Sequence, residues 1–172
     1  MKTLVPVIKR LTDKPEGFGL NWFRRVVSGA SAAALADEGF TLPSCWIVRA
    51  SERSQHRGIR EELVTVSFEV IITVENARSH SKADTDEMML AYRLAVMHQL
   101  LGWEPDEKDC EPINYEGGKL MGYDGGILVW SDSYSFKHWV TNYTPPPTYG
   151  EPGLQDETGL SDPDEEEEEE NG

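Results

Sequence analysis

Over residues 64–74 the chain alternates. Val64, Val66, Phe68, Val70, Ile72 and Val74 are apolar, and all but one of the residues between them, Thr65, Ser67, Glu69, Ile71 and Thr73, are polar. A period of two is the period of a β-strand, whose successive side chains point to opposite faces. One face of this strand therefore lies on a core, and the other faces mostly outward. β-Branched residues dominate it, as a pleated, half-buried surface favours. The fold must be built around a sheet that contains this strand.

Residues 43–50 are the expected partner strand, with Trp46 and Val48 on one side and Cys45 and Ile47 on the other. The intervening residues 51–60 are polar, carry Arg53, His56, Arg57 and Arg60, and are too many for a tight hairpin turn. A long, positively charged loop between strands is expected there.

A helix is predicted over 84–101. Asp84 with Glu87 three residues later has the spacing of a capping box. Leu90, Leu94, Met97 and Leu101 recur at i, i+4, i+7 and i+11, one stripe of an amphipathic helix. Gly102 suits the left-handed position after a helix end, and Pro105 prevents continuation. Shorter helices are predicted over 4–11 and 30–37. A hairpin is predicted from 119–123 and 127–134 or beyond, turned by Asp124-Gly125-Gly126. The expected core joins Val66, Phe68, Val70 and Ile72 of the strand to Leu90, Leu94, Met97 and Leu101 of the helix, with Trp103 and Trp130 at its margin. The fold class is α+β, a small antiparallel or mixed sheet packed against two or three helices.

Charge sets the expected end of the domain. The chain carries 31 acidic against 16 basic side chains, a net charge of -15. Eleven of the acids lie from Thr144 onward, and the last basic residue is Lys137. That leaves 20 acids and all 16 bases in residues 1–143, an ordinary balance for a folded domain. Residues 144–172 open with three prolines, end in a run of glutamates, and hold only Leu154 and Leu160 as large apolar groups after Tyr149. The expectation is one domain over 1–143 and a disordered, Pro-rich then polyacidic extension over 144–172.

The acidic balance excludes a general nucleic-acid binder, which requires a basic excess. No apolar run is long enough to span a bilayer, and residues 1–6 lack the apolar core of a secretory signal. Two cysteines, Cys45 and Cys110, build neither a disulfide framework nor a zinc site alone. A soluble protein made in a reducing cytoplasm is expected.

Catalytic patterns are missing. Gly118-Lys119 is followed by Leu120, and position 113 is Ile, so a phosphate-binding loop fails twice. No G-x-G-x-x-G or G-x-S-x-G occurs. The four histidines lie far apart in sequence, with none in a metal-binding spacing. His98 sits one residue past Met97 and reads as a helix boundary residue. Acids flank Cys110, which should raise its pKa and blunt it as a nucleophile. The expectation is no catalytic residue, no cofactor and no metal. Trp22, Trp103, Trp130 and Trp139 read either as interface anchors or as caps on the core, with Trp103 favoured as a cap.

The order of short motifs carries further information. A strand ends Val74-Glu75-Asn76, a helix ends Leu100-Leu101-Gly102-Trp103-Glu104-Pro105, then come Tyr115-Glu116-Gly117-Gly118-Lys119-Leu120 and Trp130-Ser131-Asp132. This series resembles tail terminator proteins of long-tailed, lambda-like or related bacteriophages, in which V-x-N, L-L-G-W-x-P, Y-x-G-G-x-L and W-x-D follow one another. The resemblance extends upstream through Arg24-Arg25-Val26 and Pro43, covering residues 4–140. The acidic extension departs from the pattern.

The resemblance implies an α+β subunit that closes into a six-fold ring, caps the tail tube, ends its polymerisation and meets the head-neck connector or stopper. Implied partners are further copies of itself, the tube protein, the connector, and passive contact with the genome in the lumen, with no membrane. The implied location is the tail-neck junction of the virion. A ring of this kind needs two different complementary faces on each subunit. The candidate assembly residues are basic Arg24, Arg25, Arg53, Arg57 and Arg60, and acidic Asp84, Asp86 and Glu87, with the acids of 104–116 beside them. The nearest alternative is another neck or tail-tube assembly protein. A more distant one is an acidic DNA mimic or basic-protein chaperone acting through the extension.

Overall fold

A computed structural model describes residues 2–29, 41–57, 61–75, 82–124 and 126–141, all within the unit Met1–Asn142. The elements run α1 (Val5–Thr12), β1 (Arg25–Gly29), β2 (Ser44–His56), β3 (Glu61–Glu75), α2 (Lys82–Leu100), β4 (Asn114–Asp124) and β5 (Ile127–Thr141). The five strands form one sheet in the order β1-β2-β3-β5-β4. β1 runs parallel to β2, and every other neighbouring pair is antiparallel. The fold is α+β with a mixed sheet. The expected helix at 30–37 and the expected extension at 144–172 lie outside the described residues.

The alternating segment becomes β3, at the centre of the sheet. Its even-numbered residues Val66, Phe68, Val70 and Ile72 are fully buried, on the face covered by α1 and α2. Residues 43–50 do pair with it, Ser44 opposite Thr73 and Ile47 opposite Val70. The other face is less polar than its pattern predicted. Ile71 is buried beneath Trp46, with Val27, Val48 and Val129 around them. Thr73 is buried too and hydrogen-bonds Ser44.

The expected loop at 51–60 is a correction. β2 continues through His56, opposite Glu62, after a register shift between Arg49 and Ser51. The Arg57 amide then bonds the Glu61 carbonyl at 3.2 Å. β5 likewise runs on past Tyr134, pairing as far as Thr141 opposite Glu61. Residues 51–56 look like a loop because most of their side chains are exposed. The ladder itself satisfies the backbone, so no apolar pattern is required.

α1 begins with proline in its first turn and ends with Lys9 and Arg10, which suit the negative end of the helix dipole. Val7 and Leu11, four residues apart, bury its inner face. α2 starts at Lys82, so Asp84 lies inside its first turn and not at the position before it that the capping box assigned. Gly102, with φ +75°, takes the left-handed position after the helix.

The buried stripe of α2 is Thr85, Met89, Tyr92, Val96 and Leu100. This corrects the predicted core. Leu90, Leu94 and Leu101 are 48%, 55% and 53% exposed, and Met97 is only partly buried. Both stripes follow helical spacing. The one that packs carries Tyr92, which meets Phe18 and Phe23 at ring separations of 5.3 Å and lies 6.3 Å from Trp22. Trp22 seals this corner by donating its indole N–H to the Leu11 carbonyl at 2.8 Å. Trp103 and Trp130 are partly buried against the core.

Candidate functional site

β4 and β5 set the Tyr115-Glu116-Gly117-Gly118 and Trp130-Ser131-Asp132 motifs side by side, with Gly118 opposite Asp132 and Leu120 opposite Trp130. Asp132 is completely buried. Arg93 reaches it from α2 as a two-pronged partner, Nε donating to Oδ2 at 3.0 Å and Nη2 to Oδ1 at 3.0 Å. The Trp130 indole donates to Oδ1 at 2.9 Å and the Tyr115 hydroxyl at 3.1 Å. Arg93 Nη2 also donates to the Tyr115 oxygen at 3.2 Å. The guanidinium carbon lies 4.0 Å from the centre of the Trp130 ring.

Gly118 is required by the close approach. A Cβ there would stand 2.1 Å from Asp132 Oδ1 and 2.7 Å from the Trp130 indole nitrogen. Burial works against the Arg93 charge, but hydrogen bonding and attraction to Asp132 outweigh it, and its pKa is raised. Burial first, and Asp132 second, push the Tyr115 hydroxyl up as well. Asp132 is enclosed and accepts from three side chains, so the cluster is a clamp that fixes α2 to the β4–β5 hairpin. Arg93, Tyr115 and Asp132 escape a search for catalytic spacings. Their signal is an arginine in an apolar helical turn, and Trp130 and Asp132 two residues apart on one strand face.

With Arg93 held inward, Leu90, Leu94 and Leu101 are carried on the outer side of α2. Leu120 and Met121 of β4 are exposed as well, at 56% and 43%, and Leu90, Leu120, Arg93 and Trp130 share the rim of one pocket. Along the opposite edge of this same outer surface, a groove of about 870 Å³ separates Met88, Leu94 and His98 from Phe18 and Leu20. Leu90 and Leu120 leave exposed apolar surface beside the Arg93–Trp130 pair.

The predicted assembly residues fall into separate groups. Arg24 is exposed, and its amide bonds the Pro43 carbonyl at 2.9 Å. Arg25 is partly buried, its guanidinium 5.1 Å from the centre of the Trp46 ring. Arg53 and Arg57 are exposed on the far half of β2 and just beyond it, with Arg57 bonding Gln55 at 3.2 Å. Arg25 is opposite Ser44, so Arg53 stands nine residues further along β2, roughly 30 Å away. The structure does not bring these two basic pairs together. Asp86 and Glu87 are exposed near the start of α2. Arg60 and the side chain of Asp84 lie outside the described residues.

A family model described as phage tail terminator protein matches residues 4–145. The chain belongs to this family. A comparison with curated proteins finds no match. The terminator family is a structural family of the phage tail, not known for enzymatic activity, and it implies a place in the virion in association with tail and head components. Of the motifs that carry the resemblance, Y-x-G-G and W-x-D supply Tyr115, Gly118, Trp130 and Asp132, all four in the clamp around buried Asp132.

In this terminator, no group of three or more His, Cys, Asp or Glu side chains is placed to hold a metal ion among the described residues. Cys45 and Cys110 are free, buried thiols. Burial first, with Asp106 and Asp109 adding to it, raises the Cys110 pKa. His98 is exposed on α2. His138 is buried beside Phe136, its Nε2 without a hydrogen-bond partner. Lys2 ties the start of the chain to Asp106 at 2.6 Å and Asp109 at 2.9 Å. Among the described residues, no helix is long and apolar enough to cross a membrane.

Proposed function

We propose that the chain closes into a six-fold ring that caps the completed tail tube, stops its polymerisation and joins the tail to the head-neck connector. The match of residues 4–145 to the terminator family carries this reading. Its mechanism is mechanical, without turnover, cofactor or metal. A subunit that adds to the tube end must present one surface to the tube, another to the neck and two more to its neighbours. The uncovered leucines of α2, the far end of the sheet (the β2–β3–β5 arm, residues 51–56 of β2, 61–67 of β3 and 135–141 of β5) and the acidic start of α2 supply candidates for these contacts. Charged patches on such surfaces select the partner and fix register more than they add affinity.

Mixing the purified chain with growing tubes of its own tube protein tests the proposal. The expected result is six copies of the chain at the tube end and tubes that stop lengthening. Tubes that grow at an unchanged rate in excess chain would contradict it.

A further inference from the structure

We infer that one copy's α2 leucine stripe is covered by the Arg53–Trp139 face of the β2–β3–β5 arm of a second copy. This rests on the ring reading above and adds to it the two surfaces that meet.

The α2 surface is an apolar stripe with an acidic end. Asp86, Leu90 and Leu94 follow at intervals of four, so they stack along one side of the helix. Leu90 and Leu94 are about half exposed, and Asp86 and Glu87 have no ion-pair partner among the described residues. A fitting occupant is therefore apolar or aromatic at its centre and basic beside it.

The arm carries such a surface. Val129 of β5 and Ile71 of β3 lie in the cluster opposite the helices. The β3–β5 register runs unbroken from Glu75 opposite Ile127 to Glu61 opposite Thr141. Strict alternation then puts Trp139, ten residues from Val129, on the face away from the helices. Leu63 is its partner on β3, and Lys137 and Arg53 both stand opposite Thr65. Arg53, Lys137 and Trp139 thus share one face at the far end of the arm. Trp139 is 44% exposed. Lys137 is paired with Glu111 at 3.4 Å, whereas Arg53 has no ion-pair partner among the described residues. Tryptophan and arginine are the residues most enriched where binding energy concentrates.

The two surfaces lie on opposite faces of the same sheet, so they cannot meet within one copy. Two α2 stripes brought together would set Asp86 and Glu87 against their own copies, and two arms would set Arg53 against Arg53. Like-charge contacts of this kind are disfavoured. Stripe against arm is the pairing that matches charge and apolar area at once. It is head-to-tail, the type of contact that generates a ring when its rotation closes.

Cross-linking between copies tests this in the full chain. Cysteines are placed beside the two surfaces, at exposed His98 next to Leu94 and exposed Gln55 opposite Leu63. Buried Cys45 and Cys110 stay out of reach of a short bismaleimide linker. The expected result is no cross-linked dimer from His98→Cys alone or Gln55→Cys alone, and a dimer when the two variants are mixed. The doubly substituted chain should give a ladder that stops at one closed size. Glu87→Lys or Arg53→Glu should each lower the mixed-dimer yield about tenfold, as loss of a charge pair at an interface does, and the two reversals together should restore it.

A dimer from either cysteine variant alone overturns the inference in favour of a two-fold contact. Six-copy particles by light scattering with no mixed cross-link overturn the surfaces and leave the ring standing. A chain that stays monomeric at every concentration and with tube protein overturns both.

Discussion

Arg93 of α2 and Asp132 of β5, 39 residues apart in sequence, are joined by two parallel hydrogen bonds of 3.0 Å around a carboxylate with no solvent exposure. A paired charge of this kind is tolerated in a core only while its partner is present. Asp132→Ala should therefore cost about 3–5 kcal/mol, because it leaves the guanidinium uncompensated beside the Trp130 ring. Gly118→Ala should also destabilise strongly, since its Cβ would collide with Asp132 Oδ1. Gly122→Ala, on the same strand, has nothing within 4 Å and is the control. Urea unfolding midpoints of the three variants check this, and equal midpoints for Gly118→Ala and Gly122→Ala would remove the clamp from the account.

The two stripes of α2 separate cleanly by mutation. Leu100→Ala, at a fully buried site, should cost about 2–5 kcal/mol. Leu94→Ala, more than half exposed, should stay within about 0.5 kcal/mol in the isolated chain. A large loss for Leu94→Ala in thermal unfolding would return that residue to the core.

Periodicity alone could not choose between those stripes. Leu90, Leu94 and Leu101 are as hydrophobic as Met89, Val96 and Leu100, and only the tertiary partners of Tyr92 and Arg93 decide which side turns inward. β3 was legible because the sheet buries its even-numbered residues along most of its length. The outer half of β2 was not, because paired backbone with mostly exposed side chains leaves no pattern in sequence. Gly102 and Gly126, with φ of +75° and +89°, were legible through a backbone conformation that few other residues adopt, whereas Gly125 of the expected turn lies outside the described residues. The Arg93–Asp132 clamp depends on three elements meeting, and no local spacing encodes it.

The arm should matter to assembly and little to stability. Reversing exposed Arg53 and Arg57 to glutamate, with Arg60 reversed alongside them as the third arginine of the segment, should change stability by no more than about 0.5 kcal/mol. Particles made with the triple variant should nevertheless carry overlong or uncapped tails. Normal tails in electron micrographs would take these arginines out of the assembly contacts.

Burial holds the His138 pKa below its ordinary value near 6.5. The folded chain then binds a proton there less readily than the unfolded chain, so acid favours unfolding. Stability from this site is present above about pH 6.5 and declines as the pH falls below it. His138→Leu should flatten the fall in melting temperature below that pH. An unchanged slope would assign the acid sensitivity to other groups.

Residues 144–172 carry eleven acids and lie almost wholly beyond the family match. If the ring proposed above forms, it brings six copies of this acidic segment together, which would repel DNA phosphates on a lumen-facing side and attract a basic neck protein on an outward-facing one. Deleting everything after Thr144 should lower infectivity while heads and tails still form. Full titre from the deletion would confine function to the folded body.

Tail length tests the central claim most directly. In the phage that encodes this chain, production without it should yield tails of widely varying, excessive length that fail to join filled heads, and supplying the chain in trans should restore one length and joining. Tails of normal, uniform length joined to heads in its absence would contradict the account.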